Sequence, residues 1–83
     1  MLRVQSVALL LERRIVNGIY AAGERVPTEP QLAAEFSVSR TTVRGAVADL
    51  QARGLVSREQ GRGTFVRSTG RVSVSMILET NLS

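Results

Sequence analysis

The sequence has no cysteine, no histidine, no lysine and no tryptophan. Without Cys and His the usual zinc sites, a disulfide scaffold, a thiol nucleophile and a histidine general base are excluded. Without Lys there is no Schiff-base chemistry and no phosphate-loop lysine. Aromatic residues are scarce, with one Tyr and two Phe. No apolar run reaches the roughly 18 residues a membrane helix requires. The start, Met1-Leu2-Arg3-Val4, is not expected to be a signal peptide, because the apolar stretch from Val7 to Leu11 is short and runs into Glu12-Arg13-Arg14. A cytoplasmic protein that is not an enzyme is expected, with no metal and no cofactor in this chain. The 83 residues suit one small domain, and a hydrophobic fraction of 43 % supports a folded core.

All 11 basic residues are arginine, and the net charge is +4. Residues 1–39 hold four Arg and four Glu, and residues 68–83 hold Arg71 and Glu79, so both balance. Residues 40–67 hold six arginines against Asp49 and Glu59, so the whole excess lies there. A localised arginine cluster in a small domain is the electrostatic footprint of a nucleic-acid binder.

Val4, Val7, Ala8, Leu11, Ile15 and Ile19 recur at helical spacing, which predicts an amphipathic helix over 4–19 that Gly18 closes. A connector follows, with a short extended piece at Arg25-Val26 before Pro27. A second helix opens at Thr28, with Gln31 at capping-box spacing and Pro30 in its first turn, and ends near Phe36. Leu32, Ala33 and Phe36 form its apolar face. Ser37-Val38 make a tight connection, and Ser39 caps a third helix over roughly 39–53, ended by Gly54. On a helical wheel Val43, Ala46, Val47 and Leu50 gather on one side. Thr41, Arg44, Gly45 and Ala48 lie opposite, with Arg40 near their edge. Residues 55–59 and 64–67 read as strands flanking Gln60-Gly61-Arg62-Gly63. The fold class is therefore α+β, mainly helical: a winged helix-turn-helix of three helices and a two-stranded wing, with a short third strand at 25–26.

A DNA-reading helix must be slim at the bases and cationic at the phosphates. Ser39-Arg40-Thr41-Thr42 with Arg44 supplies both. The arginine fork reaches guanine O6 and N7 together, while hydroxyls and a helix N-terminus suit phosphate oxygens. At the wing, Gly61 and Gly63 leave a thin tip from which Arg62 reaches the minor groove or a phosphate. Glu29, near a helix start, is read as a helix-dipole partner. Asn81-Leu-Ser83 matches a glycosylation sequon, read here as chance.

The runs Gly23-Glu-Arg-Val-Pro-Thr-Glu29, Leu32-Ala33, Val38-Ser-Arg-Thr-Thr-Val-Arg44, Leu50 with Gly54-Leu55-Val56, and Gly61-Arg-Gly-Thr-Phe-Val66 together resemble the GntR family of bacterial transcription regulators. The resemblance covers residues 4 to 66. It implies sequence-specific binding to double-stranded DNA, dimeric and on a palindromic operator, with repression relieved by a small-molecule effector. It also implies a cytoplasmic, nucleoid-associated place in a bacterium. By resemblance Arg40, Thr41, Thr42 and Arg44 are recognition-helix contacts, joined by Ser39. Gln60, Gly61 and Arg62, with Gly63 and Thr64, are wing contacts. Three positions depart from the pattern. Pro30 stands where many members carry a DNA-contacting Arg. Ser37 stands where Gly is common, and in a left-handed conformation it costs about 1–2 kcal/mol. Gly45 stands where a larger polar residue is usual, permitting closer backbone approach or an altered base choice.

Residues 1–67 are thus expected to be the DNA-binding domain. Residues 68–83 are expected to be a linker and the start of an effector and dimerisation domain that this chain lacks, in either a shortened or a minimal regulator. In the latter segment Val72, Val74, Met76 and Leu78 alternate with polar residues, resembling the entry to a HutC-type effector domain. Two other readings stay open: a winged helix that docks proteins, and the DNA-binding head of a regulator fused to an aminotransferase-like domain.

Overall fold

The computed structural model describes residues 2–67. Three helices are followed by a hairpin: α1 (Val4–Val16), α2 (Glu29–Phe36), α3 (Arg40–Ala52), β1 (Val56–Glu59) and β2 (Gly63–Val66). The strands are antiparallel and pair Val56 with Val66 and Glu59 with Gly63. This is the winged helix-turn-helix expected from the sequence; the strand-like alternation after residue 70 lies outside the described residues.

The apolar stripes converge on one core. Val7, Leu11 and Ile15 from α1, Leu32 from α2, Val43, Val47 and Leu50 from α3, and Val56 and Val66 from the hairpin are all buried. Two members of the expected α1 stripe fall outside it. The helix stops three residues earlier than periodicity predicts, because Gly18 takes φ +80 and the chain turns away, leaving Ile19 exposed. Val4, in the first turn, is also exposed at its outer side.

Each helix ends in the same way. Ile19 N–H donates to the Arg14 carbonyl, Val38 N–H to Ala33 and Leu55 N–H to Leu50. Each bond runs five residues back around a left-handed residue, the geometry that satisfies the last carbonyls of a helix. Gly18 and Gly54 occupy two of these positions and Ser37, at φ 57, the third. The N-termini of α2 and α3 are capped as their sequences predict. Thr28 and Gln31 form a reciprocal capping box, and Ser39 Oγ accepts from Thr42 N–H at 3.1 Å.

The Arg25-Val26 piece does not form a strand of its own. It makes a single bridge, Arg25 to Phe65, and lies along β2 through Gly23 N–H to Val66 O (2.8 Å), Val26 N–H to Thr64 O (2.9 Å) and Val66 N–H to Glu24 O (2.9 Å). Past Val26 the next donor on that side, Thr28 N–H, is taken by the Gln31 side chain in the α2 capping box, and the ladder ends. The connector thereby ties the wing to the helices. On the other side of α2, the Arg14 guanidinium bonds Glu35 and the Tyr20 hydroxyl and stacks 4.8 Å from the Phe36 ring centroid. The hydrogen bond from Arg14 holds the Glu35 carboxyl below its ordinary pKa.

Candidate nucleic-acid interface

The α3 N-terminus sets the first part of the site. Capping at Ser39 starts the helix so that Arg40, Thr41 and Arg44 face outward while Val43 and Val47 enter the core. Arg40 and Arg44 are one helical turn apart and share a face. Arg40 has no carboxylate partner among the described residues. Thr42 lies at the side of this face, half-buried, and its hydroxyl is 2.9 Å from Ser39 Oγ. Ser39 and Thr42 therefore serve the cap as well as any ligand.

Gly45 is differently placed from the wheel-based expectation. A Cβ added there would lie 3.2 and 3.3 Å from the two γ-carbons of Val4. The close approach it permits is between α3 and α1, on the flank of the helix. Arg53 is also turned to α1, where it pairs with Glu12 (3.0 Å) and Asp49 (3.2 Å).

The wing supplies the second part. Arg62 N–H donates to the Glu59 carbonyl at 2.9 Å, closing a tight turn in which Gly61 takes φ +78. A side chain at that φ would be strained, so glycine fits the turn and thins the tip. Gln60, Gly61 and Arg62 are exposed. The Arg62 guanidinium pairs with Glu59 at 2.7 Å and lies 5.3 Å from the Phe65 ring centroid, yet its side chain remains 70 % exposed. Gly63 and Thr64, expected at the wing contact, are strand residues and half-buried. Gly63 has the Arg25 side chain against it, with Nε 2.9 Å from the position of an added Cβ.

Between these parts stands Glu29, the first residue of α2. One carboxylate oxygen accepts from Arg44 Nη2 at 3.3 Å and the other from Arg58 Nη2. Together with Thr28, Arg58, Gln60 and Thr64 it lines a cleft of about 480 Å³ between α2 and the wing. Sequence reasoning assigned Glu29 only to the helix dipole and left Arg58 and Arg25 out of the site. Its acidity in a basic motif was the available signal; the partners, 15 and 29 residues away, were not readable from spacing. Pro30 sits exposed in the first turn of α2, so this position offers no cation. No group of three or more His, Cys, Asp or Glu that could hold a metal occurs among the described residues, and none of their helices is long and apolar enough to cross a membrane.

The sequence pattern of the family described as bacterial regulatory proteins, gntR family, matches residues 3–66. The crystal structure of the AraR DNA-binding domain in complex with operator ORR3 is 38 % identical, with a TM-score of 0.74 over 76 % of this chain and 76 % of that one. A transcriptional regulator GntR from Rhodococcus sp. RHA1 is 38 % identical, with a TM-score of 0.73 over 78 % of this chain and 31 % of that one. A probable fructoselysine utilization operon transcriptional repressor of Escherichia coli is 50 % identical over 38 residues, 46 % of this chain. The chain spans 16 % of that repressor's length.

Proposed function

The chain belongs to the gntR family of bacterial regulatory proteins and carries that family's winged helix-turn-helix DNA-binding domain, and on that premise we propose that the domain reads a specific operator. In this reading α3 enters the major groove. Arg40 and Arg44 meet base edges, and Thr41 with the Ser39–Thr42 corner meets phosphate. The wing tip, Gln60-Gly61-Arg62, lies on the minor groove or the backbone. Gly63 and Thr64 support the tip from within β2. Phosphate contacts supply most of the affinity and the arginine forks the discrimination.

The observation that carries this reading is the bridge through Glu29, which sets the cationic face of α3 beside the wing. Recognition helix and wing tip then meet one duplex together. One relative is described as a probable transcriptional repressor, and the whole regulator is proposed to repress as a homodimer on a palindromic operator. A small-molecule effector would bind a domain beyond residue 67, with residues 68–83 as linker and entry.

Selection of bound duplexes from a random pool at stated salt tests the reading. One recurrent motif is expected, and half-sites about one helical turn or a multiple apart if the protein binds as a dimer. On the selected duplex Arg40→Ala and Arg44→Ala should each weaken binding by about 1–3 kcal/mol. Unchanged affinity for both variants, or no binding to any duplex at low salt, overturns the assignment; the second outcome is the one a protein-docking winged helix would give.

A further inference from the structure

Glu29 is an anion placed inside a cationic reading surface. Its two oxygens are shared between Arg44 on α3 and Arg58 on β1, and its side chain is 24 % exposed, against 57 % for Arg44 and 38 % for Arg58. The carboxylate is therefore the shielded member of the triad, and both guanidiniums lie outside it. Its place in the first turn of α2 adds the favourable field of a helix N-terminus.

This arrangement acts differently on the two kinds of DNA contact. Sequence-independent binding rests on cations meeting phosphates and releasing counterions. A phosphate approaching Arg44 or Arg58 must compete with a carboxylate already seated there, and it meets a like charge behind them. Reading a base requires a fixed guanidinium plane with free donors. Only Nη2 of Arg44 bonds Glu29, at 3.3 Å, which leaves the other guanidinium donors of a side chain 57 % exposed for a base edge.

We propose that Glu29 is a specificity-determining positioning residue. It lowers the affinity of the reading face for DNA backbone while holding Arg44 for base recognition and tying that arginine to the wing through Arg58. The inference rests on the DNA-reading function proposed above.

The test compares wild type with Glu29→Gln across a salt series, on the selected duplex and on a shuffled duplex of equal length and composition. The variant is expected to bind the shuffled duplex about 3–10-fold more tightly at low salt, with a salt slope steeper by about one. The selected duplex should gain less, so the ratio of the two affinities falls several-fold. In an Arg44→Ala background the same substitution should leave the ratio unchanged, an outcome a purely structural role for Glu29 does not predict. Where the Gln variant fails to fold, Glu29→Asp keeps the first-turn charge with a side chain too short to span both arginines, and the ratio should again fall. An unchanged ratio in a folded variant, with wild type still preferring the selected duplex, overturns this inference alone. A wild type with no preference overturns the DNA-reading function and this inference with it.

Discussion

At the corner between α2 and α3, Ser37 takes the left-handed conformation that Gly18 and Gly54 take at the other two helix ends. For an L-residue that conformation costs about 1–2 kcal/mol, because Cβ crowds the carbonyl oxygen. The chain accepts it because the turn is over-determined. Val38 must follow at once, bond back to the Ala33 carbonyl and pack against the core, and Ser39 must then cap α3. Ser37→Gly should therefore stabilise the domain by roughly 0.5–1 kcal/mol, the relief of strain being partly offset by the greater freedom of glycine in the unfolded chain. The midpoint of chemical denaturation at constant slope measures this; a lower midpoint would mean that the serine hydroxyl supports the corner more than its backbone strains it.

Between elements, the packing of α3 on α1 turns on the contact of Gly45 with Val4. Glycine in a helix interior costs about 1 kcal/mol relative to alanine. Here it is accompanied by a neighbour whose two γ-carbons would stand 3.2 and 3.3 Å from any Cβ. The two effects oppose each other. Gly45→Ala is expected to be near neutral in the native chain, since the gain in helix propensity is spent on displacing Val4. With Val4→Ala already in place the same substitution should stabilise by about 1 kcal/mol. A double-mutant cycle reads the difference as a coupling of about 0.5–1 kcal/mol, and simple additivity would remove the steric account. Residues in contact couple in this way, whereas helical-wheel arithmetic on α3 alone sees only an exposed small residue.

Across the whole molecule, the fold redistributes the charge that composition assigns by segment. The six arginines of residues 40–67 do not make one uniform patch. Arg53 is drawn to α1 by Glu12 and Asp49, Arg44 and Arg58 share Glu29, and Arg62 is held by Glu59. Arg25, from the segment that balances to zero, brings its side chain against Gly63, next to the wing tip. Arg62 remains the most exposed of the paired arginines and the one at the tip. If it reaches phosphate, Arg62→Ala should reduce the slope of log affinity against log salt by about one. An unaltered slope would show that Glu59 and Phe65 retain the guanidinium on the protein.

Local signals determined much of this protein. The three helices, both side-chain caps, the glycine stops and the wing turn follow from propensity and short-range hydrogen bonding. Those depend on residues within about one turn of each other. The apolar stripes that meet in the core were legible for the same reason, as was the exposed Arg40-Thr41-Arg44 face. The missing Cys, His and Lys had already removed whole chemistries. Tertiary structure decided what lies between elements: that Gly45 serves α1, that Gly63 joins β2 with Arg25 against it, that Arg25-Val26 lies along β2 without forming a strand of its own, and that Glu29 joins recognition helix to wing. Each of these depends on which side chains from distant segments arrive at the same place, and sequence spacing carries no such distance. Charge is the clearest case, because Coulomb interaction acts through space and the partners of Glu29 are near it only once the chain has folded.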